Sequence, residues 1–462
     1  MSMKRVLRIG FLAVLNWGAS NFAVSQAKPQ STNPAACRIE AVDYKGWHGQ
    51  QMSNPWVQLI FLPQNGGRLI QFSFASHPYL FVNPKYAGKY LPPANGQWFN
   101  YGGDKLWLLP EGNDDEQHWA GDSDLIDDGP FTFRKISDGK ECEVELIGPA
   151  DPQTGVQFSR TIHLGADSPQ VRFRATMKNV TGHSLEWSMQ SVSQYDTSDA
   201  EAQSGINPKF WGFTPANPSS AYLNRYHVRY GPAQNPAVSV RDDGLFAVHY
   251  VHLAAELWLD SPDGWLAVVD GSTKYAMVER FRFEQNQEYP GKASVIFWTN
   301  GSGLHLNSDG EPVLNSEEEG KPPFYMEAEL NSPLCRLRPG ESCNFETEWF
   351  PTRAGSDLRE VREPGILLQP LEARLEAGKI KLAGSFGVFF PGRLVARLYD
   401  QRGSSLKTVP VIEVNPTEPI LLQAEISADP KTTRVSVHLI DVNGVDRGSL
   451  EEVPVSATEN RR

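Results

Sequence analysis

Short runs in which apolar and polar residues alternate, broken by glycine- and proline-containing turns, recur along most of this chain and constrain its fold more than any other feature. The alternation is visible over residues 57–61, 68–74, 171–177, 265–269, 294–298 and 346–350. A period of two sends successive side chains to opposite faces of a strand. Asn65-Gly66-Gly67, Asp138-Gly139, Asp263-Gly264, Pro290-Gly291 and Pro339-Gly340 supply turns between such runs. No segment carries a long helical period. The sequence therefore predicts an all-β protein built from sandwiches, and 462 residues are too many for a single small one.

A boundary is expected near residues 351–370. There Thr352-Arg353-Ala354-Gly355, a mixed charged stretch and Pro364-Gly365 interrupt the alternation. This reading gives a large β-domain at 37–351, a linker at 352–370 and a second sandwich at 371–455. The second sandwich is immunoglobulin-like in length, with strands at 379–382, 394–399, 408–414, 420–426 and 433–440. Residues 456–462 are expected to be a disordered tail.

The first 27 residues read as a secretory signal peptide. Lys4, Arg5 and Arg8 precede a short apolar run at 9–15, and Ser25-Gln26-Ala27 offers a small-x-small cleavage site. That run is too short to span a bilayer, and no later stretch is long and apolar enough. A periplasmic or secreted location follows. Losing those three bases and no acid takes the formal charge from -12 to -15, which disfavours nucleic acid and anionic membranes as partners. The four cysteines, Cys37, Cys142, Cys335 and Cys343, suit disulfides in an oxidising compartment. A hairpin centred on Pro339 would bring Cys335 to Cys343 and leave Cys37 for Cys142. No CxxC occurs, so neither a thioredoxin-type site nor a structural zinc is indicated, and no cofactor is implied.

Residues 100–111, NYGGDKLWLLPE, concentrate the chemistry. Paired glycines permit positive φ or a close backbone approach. Asp104, Lys105 and Trp107 combine polar anchors with a flat apolar face, as a sugar requires. The same residues would also serve an ordinary tight turn whose Trp and Leu side chains enter the core.

Three stretches carry a resemblance to a known superfamily: PQNGGRLIQFSF at 63–74, the Gly-Gly loop with Trp107 and Pro110, and MEAELNSPLCRLRPGE at 326–341. In this order they resemble the galactose-mutarotase-like supersandwich, and within it an uncharacterised family of secreted bacterial domains. The resemblance covers roughly 37–350 and implies a large β-supersandwich with a sugar on its concave face. In the epimerases of that superfamily a late-strand Glu is the base and a mid-domain His the acid. Glu327 and Glu329 match the late strand, with Glu329 preferred. The histidine should fall within WSMQSVSQ at 187–194, which has none. Gln190 and Gln194 stand there instead, and an amide is no general acid at neutral pH. His183 lies too early, and His249 and His252 would face opposite sides of a strand.

These readings give a carbohydrate-binding protein as the leading expectation, with Trp98, Trp107, Trp119 and Trp211 stacking on the sugar. Arg68 and Lys105 would donate to it, and Asp104, Gln190 and Gln194 would bond its hydroxyls. The alternatives are an aldose epimerase-like enzyme using Glu329 as base, and an envelope scaffold whose C-terminal sandwich contacts proteins. The acids at 114–116, 122, 124, 127 and 128 are expected on a long loop over the cleft, where a divalent cation is a further option without diagnostic spacing.

Overall fold

The structure, a computed structural model, describes residues 36–93, 99–110, 125–306, 312–314 and 320–457, with 304–306, 312–314 and 457 as backbone only. The expected signal peptide, Trp98, Trp119, His118 and the acids from 114 to 124 lie outside the described residues. Among the described residues no helix is long and apolar enough to cross a membrane.

Alternation becomes antiparallel sheet nearly throughout. A twelve-stranded front sheet runs from Arg38–Tyr44 at one edge through Arg68–Phe74, Asp104–Leu109, Leu185–Asp196, Tyr325–Asn331, Val295–Thr299 and Ala255–Leu259 to His227–Tyr230. A ten-stranded back sheet has Phe210–Pro215, Trp265–Asp270, Tyr275–Phe281, Ser342–Arg353, Val171–Asn179 and Val156–Gly165 at its middle. Inward-facing residues of the two sheets share one core, in which Phe72 of the front lies 5.6 Å from Trp349 of the back. Full burial of each such aromatic contributes roughly 2–3 kcal/mol. This is the all-β supersandwich that the sequence implies.

Both expected disulfides are present, with Cα–Cα distances of 5.9 Å for Cys37–Cys142 and 6.5 Å for Cys335–Cys343. The second pair does not close a simple hairpin. Cys335 is on Cys335–Leu337, which pairs with Leu185–Asp196 of the front sheet, whereas Cys343 is on the back-sheet strand Ser342–Arg353. Cys37 likewise precedes the front edge strand, and Cys142 lies on the back-sheet strand Glu141–Ala150. Each disulfide therefore staples one sheet to the other. The Cys37–Cys142 bridge closes a separation of 105 residues, the long-loop case in which chain-entropy stabilisation is greatest, about 4–5 kcal/mol.

The double glycine does what two positive-φ residues are needed for. Gly102 and Gly103 have φ of 94° and 79°, and a Cβ on them would lie 2.1 Å from Phe81 O and 2.5 Å from Leu69 O. The turn lets Gly103 donate to Phe81 O and accept from Gln194 N, which seats the following strand beside Leu185–Asp196.

A smaller sandwich of a five-stranded and a four-stranded sheet follows. The stretch 352–370, expected as a linker, instead holds the strand Glu360–Arg362 and the start of Gly365–Glu376. Ile366, Leu367 and Leu368 there are buried, so the Pro364-Gly365 signal marks a hairpin turn and not a domain boundary. Ser456 and Ala457, assigned to the tail, pair in parallel with Gly365–Glu376, while 458–462 lie outside the described residues. Phe350 of the back sheet packs against Phe389 at 4.9 Å, and one apolar cluster joins the back sheet's outer face to this smaller sandwich.

Candidate functional site

The strand Asp104–Leu109 follows directly from the glycine turn and pairs residue by residue with Leu185–Asp196, placing Lys105 opposite Val192 and Trp107 opposite Gln190. Leu185–Asp196 in turn sets Gln194 opposite Glu327, Val192 opposite Glu329 and Gln190 opposite Asn331. Directly opposed residues share a face. Lys105, Trp107, Gln190, Gln194, Glu327 and Glu329 therefore share the front sheet's outer face, where all six are nonetheless buried and Trp107 packs with apolar core residues. Sequence reasoning had chosen these six from three separate segments, and the register brings them together.

Their contacts form a connected polar set. Gln194 Nε2 donates to Glu327 Oε1 at 2.6 Å, and Gln190 Nε2 donates to Glu329 Oε2. Lys105 Nζ lies 3.8 Å from Glu327 Oε1 and 4.1 Å from the centre of the Trp107 ring, a cation–π distance. Trp107 Nε1 donates to Asp127 Oδ1 at 2.9 Å. Arg68 binds that same oxygen at 2.8 Å and also donates to the carbonyls of Gly102 and Asp127.

Burial governs the protonation chemistry. The Glu327 and Glu329 residues are 7% and 6% exposed. Burial raises the Glu327 carboxyl above the usual range, opposed by the Lys105 charge and the Gln194 hydrogen bond. Burial also lowers the Lys105 ammonium, while Glu327 and Asp127 hold it up. Asp128 is pushed up to about 7 by burial and by the neighbouring Asp127 charge. Burial thus penalises the charged form of both partners, and their mutual attraction opposes it.

Four expectations change. Asp104 is adjacent to Lys105 and therefore points to the other face. It is wholly buried between the sheets, paired with Arg160 and accepting from Ser191 and Ser193, so it is no sugar acceptor. Arg68 is also wholly buried, and its guanidinium braces Asp127 beneath Trp107 instead of reaching a ligand. Trp211 sits on the back sheet, stacked on His249 at 4.5 Å and facing the smaller sandwich. Asp127 and Asp128 are buried against Arg68 and do not decorate an open loop. Trp98 and Trp119 lie outside the described residues. Among the described residues no group of three or more His, Cys, Asp or Glu side chains is arranged to hold a metal.

The register also reveals residues that sequence reasoning passed over. Glu327 is opposite Trp298, Trp298 opposite Glu256, and Glu256 opposite Tyr230. Trp258 and His227 continue the parallel row through Glu329 and Ile296. Their strands are joined to Tyr325–Asn331 only by long-range pairing, which periodicity in one sequence does not disclose. Placed by this register, His227 is three strands from Glu329, about 14 Å at ordinary strand spacing.

A broad cleft of about 2290 Å³ lies elsewhere, on the outer face of the back sheet beside the smaller sandwich. Its charges largely satisfy one another: Arg174 pairs with Glu346 at 2.7 Å and Arg280 with Glu363 at 3.2 Å. It reads as a mixed-charge seam, whereas the front face joins buried carboxylates to aromatic surface.

The fold is similar to galactose mutarotase-like structures. One from Clostridium acetobutylicum shares 9% identity over 69% of this chain and 99% of its own, with a TM-score of 0.41. One from Lactobacillus casei shares 8% over 68% and 99%, with a TM-score of 0.42. A TPR-domain containing protein from Parabacteroides distasonis shares 14% over 70% of this chain, with a TM-score of 0.45, and this chain spans half its length. No family model matches the chain, and no curated protein matches it in sequence. At these identities the likeness concerns fold alone.

Proposed function

We propose that this protein is an exported carbohydrate-binding protein that holds a saccharide on the outer face of its front sheet. The observation that carries the reading is the shared face of Trp107, Lys105, Glu327 and Glu329, with Gln190 and Gln194 bonded to the two carboxylates. Carboxylates and amides offer the acceptors and donors that hydroxyls need, Trp107 backs them from a buried position, and the half-buried Trp298 and Trp258 on the same face offer a surface for the sugar's C–H face. Amides fill the place where an epimerase-like site would need an acid, which favours holding a sugar over converting it.

Calorimetric titration with a panel of monosaccharides should give a measurable Kd that Trp107→Ala weakens roughly three- to tenfold, the worth of one stacking contact. A panel with no binding at all would sink the reading. One observation supports a second reading, an aldose epimerase-like enzyme with Glu329 as base. Lys105, made more acidic by burial, stands 3.8 Å from Glu327 and supplies an unconventional acid. Polarimetry on freshly dissolved aldoses separates the two: the binding protein leaves the anomer exchange rate unchanged. An enzyme accelerates it and loses the effect in Glu329→Gln.

A further inference from the structure

The outer face of the front sheet does not stop at the buried carboxylates. Tyr325–Asn331, Val295–Thr299, Ala255–Leu259 and His227–Tyr230 are successive neighbours, and their register aligns Glu327, Trp298, Glu256 and Tyr230 in one row. Three strand spacings make that row about 14 Å long, more than one pyranose ring occupies. Exposure increases along it. Glu327 is 7% exposed, Trp298 and Glu256 are half-buried, and Tyr230 at the far end is 42% exposed.

The row alternates acceptors with aromatic surface. The Trp298 and Tyr230 rings lie 5.8 Å apart at 32°, forming one tilted platform. Trp298 stands directly opposite Glu327 on the neighbouring strand, which sets its ring next to that carboxylate. Trp258, beside the row, donates its indole N–H to Glu256 and so orients that carboxylate. Large aromatics half-open to water at the end of a polar site are costly to leave uncovered, and sugar faces cover them with little ordering cost. The two carboxylates of the row are offset by Lys105, 3.8 Å from Glu327, and by the Arg229 charge near Glu256, so the strip carries little net charge and suits a neutral glycan.

Resting on the saccharide-binding reading above, we infer that the ligand is a neutral oligosaccharide, one terminal residue lying at Glu327 and Glu329 and the next residues on the Trp298–Tyr230 platform. The strip sets specificity for chain length, and the carboxylate end sets affinity for a single ring.

Titration calorimetry with malto-, cello- and manno-oligosaccharides of one to five residues tests this. Affinity for the bound series should rise at least tenfold between the monosaccharide and the trisaccharide. Trp298→Ala should reduce trisaccharide affinity roughly three- to tenfold and leave the monosaccharide Kd within a factor of two. Tyr230→Ala should do the same, and its exposed position keeps it informative if Trp298→Ala fails to fold. Trp107→Ala should weaken every length. Monosaccharide binding without length dependence, or Tyr230→Ala weakening all lengths equally, overturns the oligosaccharide strip and leaves the saccharide site standing. Absence of binding at every length overturns both.

Discussion

Replacing Asp104 by alanine is expected to destabilise the large sandwich by about 3–5 kcal/mol, the usual cost of orphaning one member of a buried ion pair. Asp104 and Arg160 join the front sheet to the back sheet at the centre of the core, and both are nearly inaccessible to water. Arg160 also lies over the Phe173 ring at 4.4 Å, and Ser191 and Ser193 complete the carboxylate's partners. Removing the carboxylate strands the guanidinium in an apolar layer. Removing both charges does not, so the double variant Asp104→Leu with Arg160→Met should recover most of the loss. Urea unfolding of Asp104→Leu, Arg160→Met and the double variant provides the cycle. A double variant as unstable as the two singles added together would show that the pair is not coupled. At a temperature where Asp104→Ala remains folded, its affinity for any bound sugar should match that of the wild type, because its side chain is on the wrong face for the ligand.

Asp104 also shows what the sequence reveals and where it stops. The glycine turn, the strand after it and the set Lys105, Trp107, Glu327 and Glu329 were all legible, because period two places alternate residues on one face. The same rule excludes Asp104 once Lys105 is chosen, so that correction was available from the sequence. Trp298, Glu256 and Tyr230 were not available in this way. Their place beside Glu327 depends on which distant strands pair, and each of those strands reads alone as an ordinary half-buried run. Arg68 and Asp127, 59 residues apart, meet for the same reason. The disulfide partners were read correctly, but from a hairpin that does not form. The bridges are satisfied because both cross between sheets. The expected linker failed on local grounds: its charged residues end at Glu363, and the apolar run Ile366-Leu367-Leu368 that follows is buried in strand structure.

Stability should fall as pH rises from about 6.5 to 8, and Glu279→Gln should remove much of that fall. Glu279 is wholly buried in the core, where it accepts the Tyr195 hydroxyl hydrogen bond, and burial pushes its carboxyl up to about 8. A carboxyl whose pKa is raised on folding is protonated in the native state while the unfolded chain has already lost its proton. Its favourable contribution is complete below the unfolded value near 4.3 and is lost as pH climbs through 8. Between pH 6.5 and 8 the loss is about 1.5–2 kcal/mol. Asp128, raised to about 7, adds a slope of the same sign in the lower part of this window. His77 has the opposite sign, since burial lowers it to about 4 and its contribution is lost only as pH falls below 6.5. The chosen window therefore isolates the carboxyls. Glutamine keeps the size of Glu279 and an acceptor for Tyr195 but cannot ionise, so the stability of the variant relative to the wild type should increase steadily between pH 6.5 and 8. Thermal unfolding across that range provides the measurement. Wild-type and variant curves that stay parallel from pH 6 to 8 would mean that Glu279 is already ionised in the native state across the window, which would overturn the raised carboxyl.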